Sequence, residues 1–503
     1  PIPYTLFQRI GEGLHPAAVE KGMSELSYSS LFRKNTAYAL ALFFERGIAF
    51  LLLPLYTQVL SPSEYGVYAV LLSFIAVSSF LYSLGIENNL FTFSAYPERD
   101  PDLMGTAFWT VAVAGTLFSA ALSFLSGPVS IGLFQTSRYG GLVRLSAGIL
   151  LTDAIIRFLL YRLIGKQQSG LYLAAGLFRG VLALAVNFFL LVQRGLGLKG
   201  VFLSLLFVNL LVMLLLLVGS RKTIRFRMDL HLVPVLMRFG SPVMLVSLFI
   251  TLLNFFDRFL LERLVSVEEA GWYSAAYRIG FVINLAVTAF FTGALPYTAH
   301  LMKRRPDAYD VFARLLDYSF WACVSLFLFL CLFIQEIVRI RVFGFTLIHP
   351  SFWKAMPLVP AIALGYVFYG FFANFSLGFY HREKTSALAW IGFGSFVVNL
   401  VLNFAAIPRY ASWGAAAATV GGFFFMAVAS YATSRRFFPV RYHWKKIVTI
   451  SCAAVPVYVL PLVQKGMEWP VKMVLFTLFC VIAACVLRSP GFLHDSRALE
   501  SRL

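Results

Sequence analysis

The chain has 503 residues, 59% of them hydrophobic and 13% charged, with a net charge of +19 and a mean hydropathy of +0.79. Soluble proteins carry about 25% charged residues, so this composition excludes a soluble domain and describes an all-α integral membrane protein. The basic excess does not mark a nucleic-acid partner, because no basic helix, zinc-ligand spacing or aromatic RNA-binding motif accompanies it.

In chain order, residues 1–34 read as a cytoplasmic N-terminal tail. The tail lacks the apolar core and small-residue cleavage site of a signal peptide, and because it opens on Pro1 the native start is expected upstream. Apolar runs of about 20 residues mark bilayer-crossing helices. Fourteen follow, centred near residues 47, 76, 115, 152, 181, 208, 251, 283, 327, 365, 396, 424, 456 and 479. Placing both termini in the cytoplasm puts 26 Lys and Arg on the inner side and 9 on the outer, the asymmetry expected of cytoplasmic loops. The five cysteines lie in apolar runs without ligand spacing and the seven histidines near span ends, so no embedded metal site is expected.

The chain repeats itself. "LSPSEYGVYAV" after the first span and "VSVEEAGWYSA" after the seventh align at an offset of 205, matching Gly66 with Gly271 and Tyr68 with Tyr273. Further on, "GKQQSGLYLAAGLFRGVLALAVNFFLL" aligns with "HREKTSALAWIGFGSFVVNLVLNFAAI", which pairs Asn187 with Asn403. The expected organisation is an N-lobe of six spans (35–219), a basic cytoplasmic linker (220–238), a parallel C-lobe of six spans (239–436), and two further spans with a tail (437–503). Parallel repeats related by an axis along the membrane normal are a transporter architecture, with the substrate path between the lobes.

Charges inside the spans narrow the reading, since each costs about 2.5–3.5 kcal/mol on insertion scales. Arg144 and Lys472 lie near span ends, where long side chains snorkel. Asp153 and Arg157 are four apart, on one helical face, and are expected to pair, either as a structural lock or as an ion-coupling site. Glu45–Arg46 and Asp257–Arg258 are adjacent, so each member is expected to seek a partner elsewhere or face water. Arg46, Arg258 and Arg278 fall at the expected lobe interface, where a cationic lining with Glu45 and Asp257 would suit phosphate oxygens. Arg179, in mid-span, is compatible with either role. No phosphate-binding loop motif is present, which leaves an H+ or Na+ gradient, the membrane potential or the substrate gradient as energy source. No cofactor is expected.

"LLLPLYTQVLSPSEYGVYAV" after "RKNTAYALALFFERG" resembles the start of Wzx-type polysaccharide flippases of the MOP superfamily. "DRFLLERLVSVEEAGWYSAAYRIG", "GFFANFSLGFYHREKTSALAWIGFGSFVVNLVLNFAAIPRYASWGAAAAT" and the fourteen spans extend that resemblance from Leu31 to about Phe438. It implies a flippase, not an enzyme, in the cell (inner) membrane. Its cargo would be an isoprenoid-diphosphate oligosaccharide moved from the inner to the outer leaflet for cell-surface polysaccharide biosynthesis. Membrane lipids surround it, and a glycan polymerase or glycosyltransferases are its implied partners. The last two spans would then hold the lipid tail. The rival readings are a lipid II flippase and a cation-coupled multidrug exporter, the latter expected to line its cavity with acids rather than arginines.

Overall fold

A computed structural model of the chain describes residues 47, 50–86, 101–166, 168–221, 228–305, 309–342, 345–382, 384–464 and 466–488. Within them the fold is all-α apart from one short hairpin. The N-lobe comprises α1 (Phe50–Val59), α2 (Pro62–Ser83), α3 (Pro101–Phe124), a short α4 (Ser126–Phe134), α5 (Gly140–Gly165), α6 (Ser169–Asn187) and α7 (Gly197–Ser220). The C-lobe follows with α8 (Val233–Leu264), α9 (Val267–Gly280), α10 (Val282–Arg304), α11 (Tyr309–Arg339), α12 (Val359–His381), α13 (Thr385–Tyr410) and α14 (Ser412–Ser434). Two helices complete the chain, α15 (Trp444–Val463) and α16 (Trp469–Arg488). Each expected span after the first coincides with one of these helices or with the α9–α10 pair, the first reaches the described residues only as α1, and α4 is an addition.

By length and composition, ten described helices can cross a membrane, and the bent α9–α10 pair makes eleven. The other three expected spans correspond to α1, α5 and α15; α5 carries Arg144, Asp153, Arg157 and Arg162. Apolar side chains face outward, as a bilayer solvent requires: on α7, Leu214, Leu215 and Val218 are all exposed. The 42° bend between α9 and α10 falls at Gly280–Phe281, not at any of the prolines Pro54, Pro242, Pro296, Pro357 or Pro360 from which the sequence suggests bends. Gly280 is there for closeness: a Cβ on it would stand 2.7 Å from Ile362 of α12.

The repeat is visible in three dimensions. Ser61 and Ser266 cap α2 and α9, each side chain accepting from the backbone N–H three residues on, at Glu64 and Glu269. The Glu269 carboxylate then accepts from Ser412 Oγ at 2.7 Å at the start of α14, where the helix dipole favours a negative charge. Glu64 Oε1 holds the matching position in the N-lobe, beside Gly197 at the start of α7. The two capped ends cross so closely that a Cβ on Gly66 would lie 1.9 Å from the Val267 carbonyl oxygen, and one on Gly271 would lie 2.0 Å from that of Pro62. Pro62 and Val267 are themselves 205 apart, so the contact is reciprocal about the pseudo-two-fold axis.

A short element joins the lobes at this same end. The hairpin of β1 (Arg341–Val342) and β2 (Phe345–Thr346) and the 3-10 turn Pro350–Leu358 connect α11 to α12. Gln58 Nε2 donates to the Thr346 carbonyl at 2.7 Å, and Tyr65 packs edge-on to Phe352 at 5.4 Å. Helices α15 and α16 stand outside the repeat and are fastened to α11 by two ion pairs, His443–Asp317 at 2.7 Å and Lys472–Glu336 at 2.6 Å. Lys472 therefore has a carboxylate partner on another helix and does not simply snorkel, as the sequence suggests.

Candidate functional site

Helix α8 delivers Asn254, Asp257 and Arg258 into the interior of the C-lobe. Asp257 is fully buried and Arg258 is 5% exposed. The expectation that these neighbours cannot satisfy one another is overturned. The long guanidinium arm folds back along its own helix, so that Arg258 Nη1 donates to Asp257 Oδ1 at 2.8 Å and to the Asn254 carbonyl one turn earlier. The other carboxylate oxygen, Asp257 Oδ2, accepts from Tyr273 OH at 2.5 Å and from Thr419 Oγ1 at 3.5 Å. Asn254 Oδ1 in turn accepts from Tyr277 at 3.0 Å and Tyr366 at 2.7 Å.

Rings complete the enclosure. The Arg258 guanidinium lies 4.1 Å from the Tyr277 ring centre, 5.1 Å from Phe255 and 5.7 Å from Tyr273, within reach of the ring quadrupoles. Arg258 is thus sealed among α8, α9, α12 and α14 rather than facing a water-filled path. Near it, α13 places Asn399 and Asn403 fully inside the lobe. Asn403 donates to Asn399 at 3.0 Å, which leaves Asn399 Nδ2 and Asn403 Oδ1 as buried atoms without a partner among the described residues.

Arg278 is arranged differently. It follows Tyr277 on α9, turned about 100° from it, and so leaves the cage and points toward the other lobe. Its Nη1 donates to Tyr68 OH at 3.3 Å, and Tyr65 packs against the Tyr68 ring on the same helix, α2. No carboxylate pairs with it among the described residues. The tyrosines are held by their rings: Tyr68 packs on Tyr56 at 5.2 Å, on Tyr65 at 5.4 Å and on Phe202 at 6.3 Å. Tyr56 is anchored in turn by its hydroxyl to Asn187 Oδ1 at 3.0 Å, at the start of a π-helical turn, Phe188–Gln193.

A third cluster lies within the N-lobe. Asp153 Oδ2 is 2.7 Å from Arg157 Nη2, the expected pairing along one face of α5. Asp153 Oδ1 is also 2.9 Å from Arg179 Nη2 of α6, which donates further to Asn209 Oδ1 of α7 at 3.0 Å. Arg179 is therefore part of the Asp153 network, in which one carboxylate serves two guanidinium groups. Glu45 and Arg46 lie outside the described residues.

The sequence reading singled out the charged groups and missed the tyrosines that hold them. Tyr65 and Tyr68, and Tyr273 and Tyr277, lie one turn apart on α2 and α9, the spacing that places side chains on a common face. That spacing, with an arginine next to the second pair, is the signal that could have found them. Among the described residues no three His, Cys, Asp or Glu are grouped to hold a metal ion.

A family model described as polysaccharide biosynthesis protein matches residues 56–344. No curated protein matches the chain. Among solved structures, a lipid II flippase MurJ in an inward closed conformation superposes with a TM-score of 0.69 at 14% identity, covering 89% of this chain and 98% of that one. An inward-facing multidrug resistance MATE transporter of the MOP superfamily gives a TM-score of 0.62 at 15% identity, covering 80% of this chain and 97% of that one. A Vibrio cholerae MATE transporter gives 0.58 at 14% identity, covering 82% and 98%. At these identities the likeness is one of fold.

Proposed function

Because this chain belongs to the polysaccharide biosynthesis protein family, we propose that it is a flippase for an isoprenoid-diphosphate oligosaccharide, carrying it from the inner to the outer leaflet by alternating access. The observation that carries this reading is Arg278: a half-buried guanidinium at the lobe interface whose hydrogen bond among the described residues goes to the Tyr68 hydroxyl. In a medium of low dielectric such a cation favours an anion that can accept two of its donors, and a diphosphate offers that geometry. Arg46 is the second proposed ligand from the other lobe, and Arg258 stands behind Tyr277 as reserve charge. A diphosphate does not cross hydrocarbon unaided, which gives such a site its purpose.

With both termini in the cytoplasm, the end where Gly66 meets Gly271 faces outside, and the described conformation is closed there. The isoprenoid tail is assigned to an apolar groove of about 370 Å³ among α11, α12 and α15, lined by Phe320, Phe368, Phe371, Ala454, Val455 and Tyr458. An H+ or Na+ gradient is the proposed energy source, and the setting is the inner membrane, beside the glycosyltransferases and glycan polymerase that make and use the cargo. Nothing in this scheme makes or breaks a covalent bond, so the chain is proposed to be a transporter and not an enzyme.

A lipid II flippase is the second reading, favoured by the likeness to MurJ over most of both chains. A multidrug exporter is disfavoured, because the arginine that bridges the lobes has no acid paired with it among the described residues. The test is translocation of a labelled isoprenoid-diphosphate oligosaccharide in vesicles bearing the purified protein. Native protein is expected to move it, and Arg278→Ala to lose at least roughly tenfold in rate, the effect of about 1.4 kcal/mol. Movement of lipid II but not of the oligosaccharide would select the second reading. Efflux of a cationic dye without either would select the exporter.

A further inference from the structure

Arg278 has two duties that conflict. In the closed arrangement its guanidinium spans the lobes, donating from α9 to Tyr68 on α2. This link leaves α9 seven residues, about two turns, beyond Gly271, reaches α2 two residues beyond Gly66, and is a polar tie just inside the closure. The same guanidinium is the proposed ligand of the cargo. A diphosphate brings opposite charge and can accept two parallel bonds from the guanidinium, where the Tyr68 hydroxyl is one neutral acceptor, so a diphosphate outcompetes the tyrosine for it. Tyr68 cannot follow its partner, because Tyr56, Tyr65 and Phe202 fix its ring, and Tyr65 is held against Phe352.

We infer that Tyr68, its ring braced by Tyr65, is a positioning residue that holds Arg278 when the site is empty and surrenders it to the diphosphate, so that loading removes the polar tie between α2 and α9 at the outer end. This inference rests on the diphosphate reading above. It makes the Tyr68 hydroxyl a competitor of the cargo and not its ligand, and linkage fixes the consequence. Whatever free energy the cargo contributes to opening is the free energy that closure withdraws from cargo binding. Removing the Tyr68 hydroxyl should therefore tighten binding and loosen the closure together. A hydroxyl that only stabilises the fold would tighten nothing.

Tyr68→Phe isolates the hydroxyl, since the ring contacts remain. A reporter is supplied by Ala275→Cys in a background where Cys323, Cys331, Cys452, Cys480 and Cys485 are replaced by Ser. Ala275 is fully buried on α9, one turn inward of Gly271. In nanodiscs, two quantities are measured: the rate of labelling at position 275 by a hydrophilic maleimide, and the affinity for geranylgeranyl diphosphate, with geranylgeraniol as the uncharged control.

The expected result is that the diphosphate, but not the alcohol, speeds labelling of the reporter protein. Tyr68→Phe should label faster without ligand, respond less to the diphosphate, and bind it roughly twofold to tenfold more tightly, the worth of one net hydrogen bond. Unchanged or weakened binding in Tyr68→Phe, in a protein that still prefers the diphosphate to the alcohol, overturns the shared-arginine inference and leaves the diphosphate reading standing. If the folded native protein shows no preference for the diphosphate over the alcohol, the reading and the inference fall together. Melting curves of each variant identify a folding defect, and Tyr68→Met, which also removes the hydroxyl, repeats the comparison if Tyr68→Phe does not fold.

Discussion

Asp257 and Arg258 show what two adjacent charges can do in a membrane helix. Removing one member of a buried pair leaves the other uncompensated, at about 3–5 kcal/mol. Asp257→Asn and Arg258→Gln are therefore each expected to lower the melting temperature sharply in detergent. The double variant should recover part of the loss, because neither side then carries an unpaired charge. Additive losses in the double variant would show that the two groups do not act as a pair. Little of this pairing was legible in the sequence. Facing directions from helical geometry describe the Cβ, whereas a guanidinium has the reach to fold back onto its own turn. Arg179 shows the same limit: its partner Asp153 is on another helix, and no spacing within α6 announces it.

At the scale of elements the sequence was far more readable, because span length and apolarity are set by the bilayer itself. Thirteen of the fourteen apolar runs became a helix or a bent helix pair, the first lies largely outside the described residues, and the repeated "Ser-x-x-Glu" before Gly66 and Gly271 marks two capped starts. Three features escaped: the short α4, the π-helical turn after Asn187 and the break at Gly280. Each depends on what a neighbouring element leaves room for rather than on local periodicity. The crossing of α2 and α9 yields a prediction of its own. A methyl group on Gly66 or Gly271 cannot fit against a carbonyl oxygen about 2 Å away, so the two helices must part. Gly66→Ala and Gly271→Ala should each destabilise the closed form by about 1–3 kcal/mol, the usual range for overpacking. A cysteine introduced at Val70, fully buried one turn further along α2, should then label faster from outside. Native labelling rates in both variants would contradict the closeness of the crossing.

The whole molecule is two matched lobes with an unmatched pair of helices fastened to one side. The fastening has a direction, since both ion pairs of α15 and α16 go to α11 and neither goes to the N-lobe. The groove beside α15 should therefore travel with the C-lobe, keeping a bound tail in register with Arg278. Ala454→Trp, which fills the groove, is expected to slow translocation of a long-chain isoprenoid substrate several-fold and to spare a short-chain analogue with the same head group. Equal slowing of both would remove the groove from the substrate's path. The reciprocal crossing of Gly66 and Gly271 also bears on assembly. Residue for residue it has the logic of an isologous dimer interface, the same patch on both partners, here carried on one chain. Each lobe then owns a complete surface for recognising the other, and the basic linker need not supply the recognition. A chain cut within residues 220–238 and co-expressed as two pieces should still assemble and co-purify, as a heterodimer whose two halves keep the shape of a vanished homodimer.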